Sequence, residues 1–511
     1  SHIFVQQVNY NPSSGVSLNG SPRDVMFGMQ AESPISPFGG AEQFDISPDA
    51  TEIVFNADLV NREQAWSTGW KIYTVKIQGG RPAAPVWLTS HISARTQNPL
   101  YSPDGNFISY LAMDRPGLES DRLHIEIYNR TNQRFIPVTN NWDRTVGDYS
   151  WKDNKSFFIM ATDYGLNKLF SCPAIQSASV TEETNDLYGH TAPVPIPGRQ
   201  GGYIVTKDSM TDTSDVWTFN YGNSIQNMDQ LTFSNKGLSQ QFGFSKPEIF
   251  YFTGSNNTKV QGWLFKPYQY DPSRKYPVAH LIHGGPEGSW DTAWSYRWNP
   301  QLWTARGYAV VLINPPGSTG EGQAFTDAVR NDWGGRPFRD LMSGMDFILA
   351  QNPWLDANRV GACGASYGGY MINWLNGNTD RYKCLVCHDG VFDTMSMYYS
   401  TEELWFPESE YCPIPDRGCK PWERQFTEGF EKWNPRNFVQ NWKTPTLVIH
   451  GGHDYRIPIA EGLSAFTALQ RKGIPSKFLH FPMENHWVLN SLNSVMWYDN
   501  VLSWLDQWTS N

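Results

Sequence analysis

The rhythm of apolar and polar positions changes once along the chain, near residue 246. Up to that point short runs alternate with period two between turn residues, and almost no helical spacing appears. One signature recurs: "DISPDATEIVFNA" around Ser47, "LYSPDGNFISYLA" around Ser102, "DYSWKDNKSFFIMA" around Ser150 and "FGFSKPEIFYF" around Ser245. A weaker copy, "PIPGRQGGYIVTK", lies near Gly198. Each copy sets an Asp, Pro or Gly turn before an alternating strand, which is hairpin chemistry. The copies fall roughly 45 to 55 residues apart, the size of one four-stranded propeller blade. An irregular β-sandwich would explain the strands but not the even spacing.

From about Pro247 the pattern becomes strand–helix alternation. Apolar runs that read as buried strands are Tyr276–His283, Tyr308–Asn314, Arg359–Cys363, Thr444–His450 and Ser476–Phe481. Helical spacing appears at Phe338, Leu341, Met345 and Ile348, and again at Trp497, Val501, Trp504, Leu505 and Trp508. Continuous apolar strands between amphipathic helices predict a mostly parallel, doubly wound sheet covered on both faces. The chain therefore divides into all-β propeller blades over 1–246 and an α/β unit over 247–511. About four to five blades fit the first part, so the ring is expected to be incomplete, with an N-terminal fragment outside this chain closing it.

Composition narrows the classes. The chain has 511 residues, a net charge of −10 and no basic run, which argues against a nucleic-acid or anionic-membrane partner. No apolar stretch approaches the ~18 residues of a membrane span. A chain opening at Ser1 without a leader reads as a processed product or a fragment. The 22 Trp and 24 Tyr suit a stable secreted protein. Sequons at Asn19, Asn129, Asn154 and Asn256 permit glycosylation, at about the number chance would supply.

Cys412 and Cys419 flank "CPIPDRGC", a natural small disulfide ring in an oxidising compartment. "KCLVCH" matches the haem-attachment spacing through Cys384, Cys387 and His388, but its apolar, β-like surroundings favour a buried strand. One disulfide from that strand to Cys363 is an option, and Cys172 has no obvious partner. No histidine shows metal-ligand spacing, and no cofactor is implied.

The stretch Gly364-Ala365-Ser366-Tyr367-Gly368 fits G-x-S-x-G, the nucleophile elbow of α/β-hydrolases. A serine hydroxyl needs a base, and the base needs an orienting acid, in chain order Ser, Asp or Glu, His. Asp454, in "GGHDYRIP", follows the strand Thr444–His450, and His486, in "PMENHW", follows Ser476–Phe481. Both therefore stand at carboxyl ends of strands, where open α/β sheets place their sites. His450 and His453 flank Asp454 too closely to partner it, His480 lies inside a strand, and His388 is the other competitor. Donors for an oxyanion are the amide of Tyr367 and, in "HLIHGGPEGSW", that of Gly285, with Gly284 close behind.

Repeats followed by HGGP, GASYGGY, HGGHDYRIP and ENHW resemble the prolyl oligopeptidase family of serine peptidases, in its acylaminoacyl-peptidase-like branch, over essentially the whole chain. The resemblance implies Ser366, Asp454 and His486 as the triad. It also implies that Arg456 holds a substrate carbonyl, against an ordinary salt-bridged surface arginine. His283 stands where other members place an oxyanion-hole tyrosine, which favours a backbone donor. Release of dipeptides from free N-termini of short peptides is implied, with Phe392, Tyr398 and Trp405 as pocket candidates that would equally suit plain core. The paired acids Glu182-Glu183 and Glu402-Glu403 are considered for the substrate ammonium, with solvated surface the better reading for both. Acylaminoacyl-peptidase, oligo-endopeptidase and carboxylesterase activities are the alternatives, and a non-catalytic binding protein is disfavoured because nucleophile and base are both present.

Overall fold

The structure is a computed structural model that describes residues 1–36, 39–78, 83–222, 225, 227–239, 241–414 and 417–510. Its first half contains four small antiparallel sheets, each built around a hairpin. The sheets centre on Glu52–Leu59 with Lys71–Lys76, Phe107–Ala112 with His124–Asn129, Ser156–Asp163 with Leu166–Pro173, and Gly202–Ser209 with Asp212–Asn220. The recurring Ser-Pro-Asp has a physical reason. Ser47 Oγ donates to Asp49 Oδ1 at 2.7 Å and accepts from the Glu52 amide at 3.0 Å. Ser102 Oγ does the same with Asp104 at 2.7 Å and the Phe107 amide at 2.9 Å. Each turn thus satisfies its own backbone donors before the next strand begins.

Two copies of the signature end differently from expectation. The weak copy near Gly198 leads into the fourth sheet, through Val194–Pro195 and Gly202–Ser209. The copy at Ser245 opens no further small sheet, because its strand Pro247–Thr253 is the edge of the large one. An additional hairpin, Phe4–Asn11 with Gly15–Asp24, precedes the first sheet.

The large sheet has eight strands, numbered here in chain order: β1 (Pro247–Thr253), β2 (Lys259–Phe265), β3 (Tyr276–Ile282), β4 (Ala309–Asn314), β5 (Leu355–Ala365), β6 (Cys384–His388), β7 (Thr446–Gly451) and β8 (Ser476–Phe481). In space they run β1-β2-β4-β3-β5-β6-β7-β8, parallel from β4 through β8 and antiparallel at the β1 and β2 edge. Alternate residues of the strands feed two cores. Val278, Ile282, Val360 and Leu385 face α2 (Arg336–Gln351) and α3 (Tyr367–Asn378). Ala279, Leu281, Cys363 and Val386 face the C-terminal helix α5 (Ser491–Thr509) through Val501, Trp504 and Leu505. Helix α4 (Ile459–Arg471) covers β7 with Ala465 and Leu469. The period-two alternation is what lets one strand serve both layers.

Register also decides the cysteines. Cys363 lies opposite Val386, and Cys384 opposite Gly361, so the considered bridge from β6 to Cys363 does not form. Cys172, Cys363, Cys384 and Cys387 are all buried free thiols. Cys412 and Cys419 are disulfide-bonded. Asn19, Asn154 and Asn256 are exposed, whereas Asn129 is half-buried and its Oδ1 accepts from the Thr131 amide at 3.0 Å.

Polar contacts tie the small sheets to the large one. Arg115 donates to Asp121 at 2.7 Å and spans both oxygens of Asp327 at 2.7 and 3.1 Å. The Tyr164 amide donates to Gly320 O and the Asn167 amide to Thr292 Oγ1, each at 3.0 Å. No helix is long and apolar enough to cross a membrane among the described residues.

Candidate active site

Strand β5 ends at Ala365, α3 begins at Tyr367, and Ser366 between them has φ 59° and ψ −121°. A non-glycine residue rarely adopts such a backbone, so the surrounding chain has to enforce it. It does so by close approach. A Cβ on Gly368 would stand 2.2 Å from Ile282 O, and one on Gly364 would stand 2.4 Å from Gly368 O. The Ser366 amide is held twice, donating to His388 O at 3.1 Å and to Asp389 Oδ1 at 2.6 Å.

Asp454 follows β7 and His486 follows β8, and the fold brings the pair into contact. His486 Nδ1 donates to Asp454 Oδ2 at 2.7 Å. The other oxygen of Asp454 accepts the amides of Arg456 at 3.0 Å and Ile457 at 2.9 Å, which fixes the carboxylate. Burial pulls the His486 pKa down, but Asp389 and Asp454 outweigh it and the net shift is upward. Two of the competing histidines are accounted for. His450 Nε2 donates to Ile457 O at 2.7 Å, and His388 lies buried in β6, where desolvation keeps it neutral. His486 alone of these lines a cavity shared with Ser366.

That cavity measures about 750 Å³ and lies between the two halves of the chain, since Glu119 and Ser120 reach it from the small sheets. Gly284 abuts the elbow, for a Cβ there would meet Ser366 Cβ at 3.1 Å. Arg456 lines the cavity with its guanidinium 5.1 Å from the Trp487 ring centre, and its Nη2 pairs with Glu403 and, at 3.7 Å, with Glu402. Arg456 is therefore both salt-bridged and part of the site. Glu403 departs from the solvated surface expected of it. It is 5% exposed, and burial, reinforced by Glu119, pushes its pKa up to about 8 against the pull of Arg456. Glu287 also lines the cavity, and burial beside Glu410 raises its pKa well above the usual range. Glu182 and Glu183 belong elsewhere, on Lys168 at 3.0 Å and on Ser171 and Tyr221.

The three aromatic pocket candidates do not line the cavity. Phe392 packs against Trp442 beneath α4. Tyr398 is core, with its hydroxyl on Glu408 at 2.9 Å and its ring against Phe430. Trp405 donates Nε1 to Glu119 at 3.1 Å and so braces a cavity wall from behind. Val391, Met397, Glu403 and Phe406 are the lining residues from this stretch. The chain turns away after Val391 because Phe392 and Asp393 donate their amides to buried Glu461, a long-range contact no local pattern announces.

Asp389 is the residue the sequence reading overlooked. It is 1% exposed, follows β6, and its Oδ2 lies 3.4 Å from His486 Nδ1. Its signal was available, because it stands in the loop just past a strand, as Asp454 and His486 do. Asp389, Asp454 and His486 also form the one group able to hold an ion among the described residues. The proton His486 Nδ1 donates to Asp454 makes that nitrogen unsuitable as a ligand.

An α/β-hydrolase sheet carrying a serine elbow, joined to propeller-type sheets across a shared cavity, defines a class of serine hydrolases. Comparison with known proteins narrows it. A model of the prolyl oligopeptidase family matches residues 294–511. The chain is similar to dipeptidyl-peptidase 5 of Schizosaccharomyces pombe, 37% identical over 94% of this chain and 68% of that protein. It is likewise similar to dipeptidyl-peptidase 5 of Aspergillus fumigatus, 35% identical over 97% of this chain and 69% of that protein. In fold it resembles the acylaminoacyl peptidase of Pyrococcus horikoshii, with a TM-score of 0.76 and 22% identity over 90% of this chain and 70% of that one. The chain belongs to the prolyl oligopeptidase family and is a serine peptidase.

Proposed function

We propose that this chain releases dipeptides from the free N-termini of short peptides through an acyl-enzyme on Ser366. The observation that carries the reading is the pair His486–Asp454 at 2.7 Å beside an elbow serine in one cavity. In this mechanism His486 Nε2 takes the Ser366 proton as Oγ attacks the peptide carbonyl, and later returns it to the departing amine. Asp454 keeps His486 in the tautomer with Nδ1–H. The amides of Tyr367 and Gly285 hold the oxyanion, a contribution of a few kcal/mol each. Water then hydrolyses the acyl-enzyme. Arg456 is placed to hold a peptide carbonyl next to the cut.

Dipeptide release, as opposed to internal cleavage, rests on the names of the fungal relatives and on the acids of the cavity wall. Glu119, Glu287 and Glu403 line the wall with carboxyl oxygens that can accept hydrogen bonds from a substrate ammonium. The small sheets overlie the cavity and would limit entry to short or unfolded chains. Export is supported by the Cys412–Cys419 disulfide and by exposed asparagines at Asn19, Asn154 and Asn256.

The test compares Lys-Ala-nitroanilide with its N-acetylated twin, using wild type and Ser366→Ala. Cleavage of the free amine alone, lost by at least ~10³-fold in the variant, is the expected result. Cleavage of the acetylated twin at a comparable rate would replace dipeptide release with endopeptidase or acylaminoacyl-peptidase action.

A further inference from the structure

We propose that Asp389 is a second carboxylate of the active site, a positioning residue that anchors the Ser366 amide with one oxygen and shares the charge of the His486 ring with the other. The proposal rests on the triad reading above and goes beyond it. A triad needs one acid, and Asp454 already meets that need. Asp389 nevertheless sits at the end of the neighbouring strand β6, within ion-pair distance of the same ring nitrogen.

Three observations support this placement. Asp389 has φ 41°, a left-handed backbone that a non-glycine residue keeps only where packing over-determines it. The next residue, Gly390, presses against Gly369 of α3, where a Cβ would meet Gly369 C at 2.2 Å, so the loop has no room to relax. Asp389 Oδ1 is engaged by Ser366, whereas Oδ2 makes no hydrogen bond and lies between His486 Nδ1 at 3.4 Å and His388 Nε2 at 3.2 Å.

The groups facing Asp389 are few. His388 of its own strand is neutral, His486 comes from the loop after β8, Asp454 and His450 come from β7 and its loop, and Arg297 approaches from the segment before α1 (Pro300–Ala305). Burial and then the Asp454 charge raise the Asp389 pKa to about 7, against the pull of His486. Its charge is therefore present above about pH 7 and absent well below it.

The chemistry balances without a third proton acceptor. When Ser366 Oγ attacks, its proton moves to His486 Nε2 and the ring becomes an imidazolium. The Nδ1 proton stays in the hydrogen bond to Asp454. Asp389 takes no proton in the step. It adds a second negative charge beside the cation, which counts for more in a buried site than in water. The same side chain fixes the Ser366 amide, so elbow and base are coupled through one residue.

The experiment is a double-mutant cycle on kcat for Lys-Ala-nitroanilide, with D389N, D454N, the double variant and S366A. Asparagine keeps an oxygen for the Ser366 amide. Loss of one supporting acid from a lone-carboxylate triad lowers kcat about 10⁴-fold. With Asp389 in support, D454N should lose only about 10²-fold and the double variant about 10⁴-fold, while D389N alone should lose about tenfold in kcat with KM unchanged. In D454N the Asp454 charge that helps to raise the Asp389 pKa is gone, so the pH midpoint of the residual kcat should lie below 7, and it should shift again in the double variant, where neither carboxylate faces His486. A full 10⁴-fold loss in D454N, with the double variant no lower, would overturn the proposal. Should D389N fail to fold, the size of the D454N loss decides alone, and a full 10⁴-fold loss overturns it. Wild-type turnover in S366A would instead remove the triad reading itself, a separate failure.

Discussion

Ser366 shows how strongly single side chains are constrained here. Its backbone can hold φ 59° only because Gly364 and Gly368 let β3, β5 and α3 approach without Cβ atoms between them. A methyl group at Gly368 meets backbone, which cannot swing aside as a side chain might. Gly368→Ala should therefore cost about 2 kcal/mol or more of stability and lower kcat through the displaced serine. Urea unfolding and steady-state kinetics on one preparation check both, and wild-type values for both would mean that the elbow relaxes freely. At this scale the sequence was highly legible. Ser366, Asp454 and His486 were readable because each stands just past an apolar run. Asp389 shares that signal. Glu403 does not, because its burial comes from the Glu119 side and from Arg456, residues far away in sequence.

Elements were legible where their pattern had a local cause. The Ser-Pro-Asp turns close their own hydrogen bonds within about five residues, so the repeat marks true hairpins. The copy at Ser245, which reads Ser-Lys-Pro-Glu, leads into β1, because a polar turn before an alternating strand suits any antiparallel edge. Which sheet receives that edge depends on β2, and β2 depends on β4. The Cys412–Cys419 ring was also legible from spacing. In the chain-entropy view, closing so short a loop contributes about 2 kcal/mol. Replacing both cysteines with serine should lower urea stability by about that amount and leave kcat unchanged, because the ring's cysteines do not line the cavity. An unchanged midpoint would show that the bond constrains nothing that unfolds.

On the scale of the whole molecule, the cavity exists because two unlike halves meet. Glu321, in the loop after β4, faces Arg144 and Asp163 of the small sheets across that junction. Its pKa is raised to about 8, chiefly by burial. The sign follows from linkage: the unfolded chain loses this proton near the ordinary carboxylate value and the folded chain only near 8. Stability from Glu321 therefore declines as pH rises from about 4.5 to about 8. Glu321→Gln should raise the melting temperature relative to wild type at pH 8 more than at pH 5, measured by calorimetry. An equal difference at the two pH values would show that the residue does not titrate at the junction.

The sequence by itself determined the two textures, the elbow turn at Ser366 and the places of Asp454 and His486 in the loops after β7 and β8. Periodicity and turn chemistry are local, so composition within a few residues suffices to write them. Only the tertiary structure decided which acids are buried beside Arg456, that Phe392 and Tyr398 turn into core, that Cys363 meets Val386 instead of a thiol, and that a second carboxylate faces His486. Each of these depends on contacts between residues far apart in sequence. Burial and electrostatic neighbourhood are properties of the assembled fold, and no short stretch of chain specifies them.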